Sequence, residues 1–159
     1  MPSLSPDQIA FFSAGIAHQI GSVTPEGRPC LVRGLAADIE DDGRVVVLLS
    51  GASGFEVLEA IRATRWIALN MTSPATYRSM MLKGSDAVAA AAGASFRGLL
   101  ETRHAAFRTN LIPLGFTLEY TSSWYSLPDE DIVAIRFTPT LAWNQTPGPG
   151  AGQALPLGG

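Results

Sequence analysis

One short loop in the sequence has residue types that suit the binding of an anion. It is "SGASG", residues 50–54, which lies between an apolar run and a helical pattern. Backbone N–H groups of a Gly/Ser loop at the start of a helix can hold a phosphate or a carboxylate. An ordinary strand-to-helix connection capped by Ser53 explains the same residues. Both interpretations stay open on these residues alone.

A second stretch, "TYRSMMLKG" at residues 76–84, places charged and hydroxyl groups in a strand-like run. Side chains alternate between the two faces of a strand. One face therefore carries Ser79, Met81 and Lys83, and the other carries Arg78, Met80 and Leu82. The polar groups either contact a ligand or protect an edge strand against pairing with another chain.

Residues for nucleophilic or metal-assisted catalysis are sparse. The chain has two histidines, His18 and His104, a single cysteine, Cys30, and no G-x-S-x-G motif. Without a Cys/His cluster we predict no metal site, and we interpret Cys30 as a small buried residue on a strand. The acidic groups at residues 38–42 and in "PDED", residues 128–131, are typical of solvated turns. The sequence does not identify a catalytic residue, so we assign none.

The composition indicates one globular domain. The 159 residues are 47% hydrophobic and 16% charged, with a net charge of -3. No basic excess is available to neutralise nucleic-acid phosphates, and no apolar run reaches the roughly 20 residues of a membrane span. The N-terminus lacks the basic start of a signal peptide. We therefore expect a cytoplasmic protein that binds neither nucleic acid nor membranes.

The hydrophobic periodicity predicts a short helix, three strands, a helix, two strands, a long helix and a final strand or two. Ser5 and Gln8 form a capping-box pattern at the first helix. The turns "PEGR" and "DDGR" join the first three strands into an antiparallel meander. The run "VVVLL" predicts a strand buried on both faces. Hairpin-length links disfavour a doubly wound parallel sheet.

The second half of the chain is patterned less clearly. "DAVAAAAGA", residues 86–94, fits neither a helix nor a strand decisively. Residues 96–112 predict a helix that Ser95 caps and Pro113 stops, and "FTLEYTSSWYSL", residues 116–127, predicts a strand. The uncharged tail from Trp143 onward is either a mobile terminus or an extended segment against the body or a partner.

These elements predict a mainly β fold with peripheral helices, arranged as a closed or nearly closed antiparallel barrel. We assign residues 1–143 to a single domain with a helical insert at residues 86–117. Residues 144–159 form a Gly/Pro-rich C-terminal tail.

The order of the motifs resembles the pyridoxamine 5'-phosphate oxidase-like family, the FMN-binding split barrels. The resemblance is carried by "IGSVTPEGRPCLVRG", then "DDGRVVVLLSGASGFEVLEAIRAT", and then "WIALNMTSPATYRSMMLKG". It implies a six-stranded antiparallel split β-barrel that forms a homodimer. Two FMN molecules would lie in clefts between the subunits, each touched by both chains.

The resemblance also implies, by position, which residues contact the cofactor. They are Val32, Arg33, Ser50, Gly51, Ser53, Arg78 and Ser79. The sequence departs from the family at the FMN phosphate, because Ser53 and Gly54 stand where the oxidase has an Arg-Lys pair, and Ala37 replaces a later Lys. Hydroxyl and backbone donors bind a dianionic phosphate less tightly than charged donors do.

The function implied is that of an FMN-binding flavoprotein, an oxidoreductase acting on an unknown small molecule. It is not expected to oxidise pyridoxamine phosphate, because the residues that hold that substrate in the oxidase cannot be recognised. The flavin would supply the hydride chemistry, and Trp143 either covers its ring or closes the barrel or the dimer. Two alternatives stay open: a non-catalytic flavin or small-ligand binding protein, and a cofactor-free structural dimer.

Overall fold

The computed structural model describes residues 4–158. These residues form the helices α1 (Pro6–Phe11), α2 (Phe55–Thr64), α3 (Arg97–Leu111) and α4 (Leu118–Ser123). Their strands are β1 (Ala17–Val23), β2 (Pro29–Gly34), β3 (Ala36–Ile39), β4 (Val45–Ser50), β5 (Ile67–Thr72), β6 (Ser79–Gly84), β7 (Val88–Ala91), β8 (Ile132–Phe137), β9 (Leu141–Asn144) and β10 (Ala154–Leu155). The fold is mainly β with peripheral helices, as predicted.

The larger of two antiparallel sheets has the strand order β10–β9–β6–β5–β1–β2. The "PEGR" turn joins β1 to β2, and Gly27 has a φ of 83° there, a left-handed conformation that favours glycine. Strand β6 lies between β5 and β9 and is therefore an interior strand. For that reason, the hypothesis that Arg78 and Lys83 protect a sheet edge is wrong.

The smaller sheet has the order β3–β4–β8–β7. The run at residues 29–40, predicted as one strand, changes sheet at Leu35, whose N–H donates to the carbonyl of Leu48 at 2.7 Å. Within residues 4–158 the strand pairing does not close a barrel. The described strands form two separate antiparallel sheets of six and four strands.

The main hydrophobic core draws side chains from both sheets. Ile20, Leu69 and Leu82 come from the larger sheet, and Val47 and Phe137 come from the smaller one. Helices α1 and α2 also contribute to this core. Burial of this apolar surface is the dominant stabilising contribution, and it holds the two sheets together.

A second core lies on the opposite side of the smaller sheet, under α3. Val46 and Leu48 of β4 pack there with Leu100, Phe107 and Leu111 of the helix. Strand β4 is therefore buried on both faces, which confirms the prediction from its uninterrupted apolar sequence.

The predicted strand at residues 116–127 is wrong, because this segment contains α4. Thr117 caps the helix, and its side chain accepts a hydrogen bond from the N–H of Tyr120 at 3.1 Å. Phe116 and Tyr120 have ring centroids 6.1 Å apart, and Tyr120 and Trp124 are 5.1 Å apart. The aromatic residue types favour a strand, but their i, i+4 contacts and the cap favour a helix.

The start of α3 also differs from the prediction. The hydroxyl of Ser95 donates to the carbonyl of Ala92 at 2.6 Å, within a 3-10 turn at Gly93–Phe96. The N-cap is Phe96, which makes no side-chain capping bond. The ambiguous segment at residues 86–94 contains β7, which pairs with β8.

The capping box of α1 is confirmed. Ser5 N–H donates to Gln8 Oε1 at 2.7 Å, and Gln8 N–H donates to Ser5 Oγ at 3.3 Å. Gln8 Nε2 also donates to the carbonyl of Pro156 at 3.2 Å. Because β10 pairs with β9 as well, the tail lies in an extended form against the body.

Candidate functional site

A cleft of about 440 Å³ opens where β2, the loop at residues 50–54 and the segment after α4 meet. We call it the β2 cleft. Four of the predicted cofactor contacts line it, namely Val32, Arg33, Ser50 and Ser53. Residues 124–131 provide much of the remaining wall, and the sequence analysis did not assign them to a site. These residues could have been assigned to the site only if α4 had been predicted as a helix. The i, i+4 spacing of Phe116, Tyr120 and Trp124 is the signal that could have predicted it.

Arg33 is held at the β2 cleft by the aromatic residues that follow α4. Its guanidinium carbon lies 4.1 Å from the ring centroid of Trp124 and 5.7 Å from that of Tyr125, which is cation–π geometry. Tyr125 in turn stacks on His104, with ring centroids 3.7 Å apart. Stacking occupies the face of a guanidinium and leaves its N–H edge able to donate to a ligand.

The aromatic groups behind Arg33 stay uncharged near neutral pH. Burial raises the pKa of the Tyr125 phenol, and the positive charge of Arg33 opposes that rise. Burial lowers the pKa of His104, whose Nε2 lies 3.1 Å from the carbonyl of Thr121. The charges that a ligand meets in this part of the cleft are therefore those of Arg33 and Asp131.

The carboxylate of Asp131 lies inside the loop that the sequence marked as an anion cradle. Ala52 N–H donates to Asp131 Oδ1 at 2.8 Å, and Ser50 Oγ donates to Asp131 Oδ2 at 2.5 Å. Gly51 N–H donates to the Asp131 carbonyl at 2.8 Å. The interpretation of residues 128–131 as a solvated turn is wrong for Asp131, which is half-buried and bound.

The other two N–H groups of the loop are also used within the protein. Ser53 N–H donates to Ser50 Oγ at 3.2 Å, and Gly54 N–H donates to the Ser50 carbonyl at 2.9 Å. Gly54 is the N-cap of α2 and Ser53 makes no capping bond to that helix, so the predicted Ser53 cap is wrong. Residues 51–54 thus offer no unused backbone donor to an outside anion.

Arg78 and Ser79 lie outside the β2 cleft. The Arg78 guanidinium carbon is 4.7 Å from the ring centroid of Phe11. Ser79 Oγ is 2.8 Å from Thr72 Oγ1, and Ser79 N–H donates to Thr146 Oγ1 at 3.0 Å. The prediction that this pair contacts a cofactor stays a prediction, which a ligand-binding measurement on the Arg78→Ala, Ser79→Ala double variant would test.

The strand register aligns a row of side chains across the outer face of the larger sheet. In order from β2 to β9, the row consists of Arg33, Gln19, Asn70, Met81 and Trp143. Four strand spacings separate its ends, which is roughly 19 Å. Trp143 is therefore too far from Arg33 to cover a ring bound in the β2 cleft of the same chain.

A neighbouring row on the same outer face is more apolar. It includes Leu31, Ala68, Lys83 and Leu141. A second cavity of about 600 Å³ lies here, and Leu31, Trp66 and Lys83 line it. Leu31 is 69% exposed and Trp66 is 54% exposed. This surface, which we call the outer sheet face, is a large apolar area that no segment of residues 4–158 covers.

The buried side chains of the described residues also include Cys30 and His18. Cys30 lies on β2 and is buried, as predicted, and burial raises the pKa of its thiol. His18 lies on β1, and its Nε2 has no hydrogen-bond partner among residues 4–158. Burial, with Arg103 and Arg33 nearby, lowers the pKa of His18 to about 3.

Among residues 4–158, no helix combines the length and the apolar character required to cross a bilayer. The same residues contain no cluster of three or more His, Cys, Asp or Glu side chains placed to bind a metal ion.

The chain matches known proteins in its structure. No protein-family model and no curated protein sequence matches the chain. A pyridoxamine 5'-phosphate oxidase-related, FMN binding protein from Nostoc punctiforme matches with a TM-score of 0.50 and 16% identity, covering 93% of this chain and 88% of the other. A protein described as an F420 reductase matches with a TM-score of 0.54 and 13% identity, covering 87% and 98%.

A third match is HutZ, the heme storage protein from Vibrio cholerae. It has a TM-score of 0.51 and 13% identity, with 89% of this chain and 94% of the other covered. At these identities the matches establish the fold. The resemblance found in the sequence is confirmed at that level: the chain has the fold of the pyridoxamine 5'-phosphate oxidase-related proteins.

Proposed function

Starting from this fold, we propose that the protein binds a flavin-type ring in the β2 cleft. The observation that carries the proposal is the convergence of Val32, Arg33, Ser50 and Ser53 on one cavity of about 440 Å³. Cavities of this size, with mainly apolar walls and a few polar groups, are typical of small-molecule sites. Trp124 offers an aromatic wall next to the Arg33 guanidinium.

FMN, the ligand that the resemblance implies, fits this cleft only in part. The apolar and aromatic walls suit the ring of a flavin. The donors of residues 51–54 are already used, and Asp131 adds a negative charge where a phosphate would need a positive one. Arg33 is the one cation lining the cleft among the described residues. The residues therefore fit the ring of FMN and do not fit its phosphate.

Oxidoreductase activity on a small molecule stays a prediction within this proposal. A bound flavin would itself supply the redox chemistry, and the protein would bind and orient it. A non-catalytic flavin or small-ligand binding protein needs the same cleft and no further residues. Steady reduction of a dye by NADH or NADPH in the presence of flavin would support the enzyme over the binding protein.

A histidine-ligated heme is less well supported than a flavin-type ring. The chain has two histidines, and both are buried, His18 on β1 and His104 on α3. Neither lines the β2 cleft. An imidazole ligand to heme iron would therefore require one of these side chains to leave its packed position.

We also propose that two copies of the chain form a homodimer, as the resemblance implies, and that they meet through the outer sheet face. Leu31, Trp66 and Leu141 form exposed apolar surface on that face. A second copy can cover it with the same surface in a two-fold arrangement. The cofactor-free structural dimer would use this face and leave the β2 cleft without a ligand.

The proposed ring site is tested by titrating the purified protein with riboflavin while following flavin and tryptophan fluorescence. We expect saturable binding with quenching, because Trp124 lines the cleft. Arg33→Ala should weaken binding about five-fold, since it removes a cation beside the aromatic wall. Arg62→Ala is the matched control, because Arg62 pairs with Glu59 on the surface of α2. Absence of binding by the wild-type protein would contradict the proposal.

A further inference from the structure

The contact between Asp131 and the loop at residues 50–54 joins parts of the chain that are 81 positions apart. The smaller sheet fixes it, because Ser50 at the end of β4 pairs with Ile132 at the start of β8. Asp131 therefore stands directly beside the loop, and a backbone bond from Gly51 holds it there. The backbone of the smaller sheet therefore fixes the position of this carboxylate.

The shape of the loop also accommodates this carboxylate. A Cβ atom on Gly51 would lie 3.1 Å from Val133 Cγ2 and 3.4 Å from Asp131 Oδ1. The first distance is tighter than ordinary van der Waals contact. Glycine at this position thus keeps the loop close to β8, which brings Ala52 N–H and Ser50 Oγ within hydrogen-bond distance of Asp131.

The donors that Asp131 occupies are those an external phosphate would need. A phosphate placed at the loop would have to displace the carboxylate from Ala52 and Ser50. If it remained beside them instead, two negative charges would lie a few ångströms apart, which is strongly unfavourable outside bulk water. A neutral hydroxyl at the same position meets no such repulsion and can donate a hydrogen bond to the carboxylate.

We propose that Asp131 is a built-in anion that excludes phosphate from the loop at residues 50–54, so that the β2 cleft selects unphosphorylated flavins over FMN. The ligand class is a flavin ring with a neutral polyol chain, such as riboflavin. This selectivity rests on the proposed function, whereas the exclusion of phosphate is a property of the loop alone. Asp131 is thus a specificity-determining residue.

The first test compares the affinities of riboflavin and FMN for the wild-type protein and for Asp131→Asn. Asparagine keeps the oxygen that accepts from Ala52 and removes the charge. We expect wild-type protein to bind riboflavin at least about ten-fold tighter than FMN, a difference of about 1.4 kcal/mol, and the variant to lose most of this preference. Glu130→Gln is the matched control, because it removes the same charge from the exposed neighbouring residue.

A wild-type preference for FMN, or an Asp131→Asn variant with an unchanged ratio of affinities, would overturn the proposal. So would an equal loss of preference in Glu130→Gln, because the effect would then come from net charge and not from the loop. Circular dichroism and thermal unfolding of each variant establish that a changed ratio does not reflect a changed fold.

The second test uses inorganic phosphate as the probe and needs no flavin. A ligand that binds only the folded state raises the melting temperature. Phosphate at roughly 1–50 mM should therefore leave the melting temperature of the wild-type protein unchanged relative to chloride of equal ionic strength. Asp131→Ala frees both donors and should show stabilisation by phosphate. Equal stabilisation of wild type and variant, or of neither, contradicts the exclusion. Failure of riboflavin to bind while this result holds would refute the proposed function alone.

Discussion

His18 is a buried titratable residue whose surroundings disfavour its charged form. It is buried on β1, its Nε2 lacks a partner within residues 4–158, and two arginines lie nearby. The folded protein therefore holds this imidazole in its neutral form. A His held neutral makes folding sensitive to acid, because the unfolded chain can take up a proton that the folded chain refuses.

We predict a measurable loss of stability between pH 7 and pH 5. The unfolded chain protonates His18 below pH 6.5, whereas the folded chain does so only near pH 3, because burial lowers its pKa to about 3. The contribution of neutral His18 to the free energy of unfolding is thus fully present above pH 6.5 and is lost as the pH decreases toward 3. At pH 5 the loss from this group is about 2 kcal/mol. Urea unfolding at both pH values should show a smaller loss for His18→Gln than for the wild type.

The sequence could predict the placement of individual residues where that placement depends on the local sequence pattern. The alternation on β6 follows from residue spacing, whereas the choice of Val32, Arg33, Ser50 and Ser53 as cofactor contacts comes from the family resemblance. The role of Asp131 follows from neither, because its partners lie 81 positions away and only the pairing of β4 with β8 brings them together.

The prediction for His18 would be contradicted if His18→Gln lost as much stability between pH 7 and pH 5 as the wild type does. The acid sensitivity would then belong to another group.

At the scale of elements, α1 shows how a short helix can be stabilised from outside itself. It has six residues, which is too few for stability as an isolated helix. The side chain of Gln8 accepts from Ser5 N–H and donates to the Pro156 carbonyl, so it ties the helix cap to the tail. Gln8 is buried, and its loss would leave buried polar groups without partners.

We predict that Gln8→Ala destabilises the protein by about 1–2 kcal/mol, because it removes one half of the capping box and the bond to the tail. Ile9→Ala is the control from the next position, where the side chain is 47% exposed and its loss should cost less. Chemical denaturation of the three proteins measures the difference. If Gln8→Ala loses no more unfolding free energy than Ile9→Ala does, relative to the wild type, the prediction is contradicted.

Elements with a clear local signal in the sequence could be predicted, and elements without one could not. The doubly buried β4 follows from five consecutive apolar residues, and α1 follows from its capping box. Helix α4 was mistaken for a strand because it has six residues and is rich in aromatic types that favour strands. The change of sheet at Leu35 was missed, because Gly34 directly before it was taken as part of one strand, although glycine inside a strand pattern often marks a bend.

For the whole molecule, the uncovered outer sheet face is the feature that most affects behaviour in solution. We predict that Leu31→Glu converts a dimer into a monomer, because it replaces the most exposed of the apolar side chains named on this face, at 69%, with a charge. Phe55→Glu is the control, since Phe55 is 65% exposed on α2, away from this face. Light scattering after size-exclusion chromatography gives the mass, and a wild-type monomer at micromolar concentration would contradict the proposal.

The position of β8 has a consequence for the order of events during synthesis. This strand lies between β4 and β7 in the smaller sheet, although it follows both in sequence. Until residues 132–137 leave the ribosome, β7 has no pairing partner and β4 pairs only with β3. Such non-local pairing slows folding and leaves strand edges open to aggregation. Arrival of β8 thus completes the smaller sheet and brings Asp131 to its loop in the same late step.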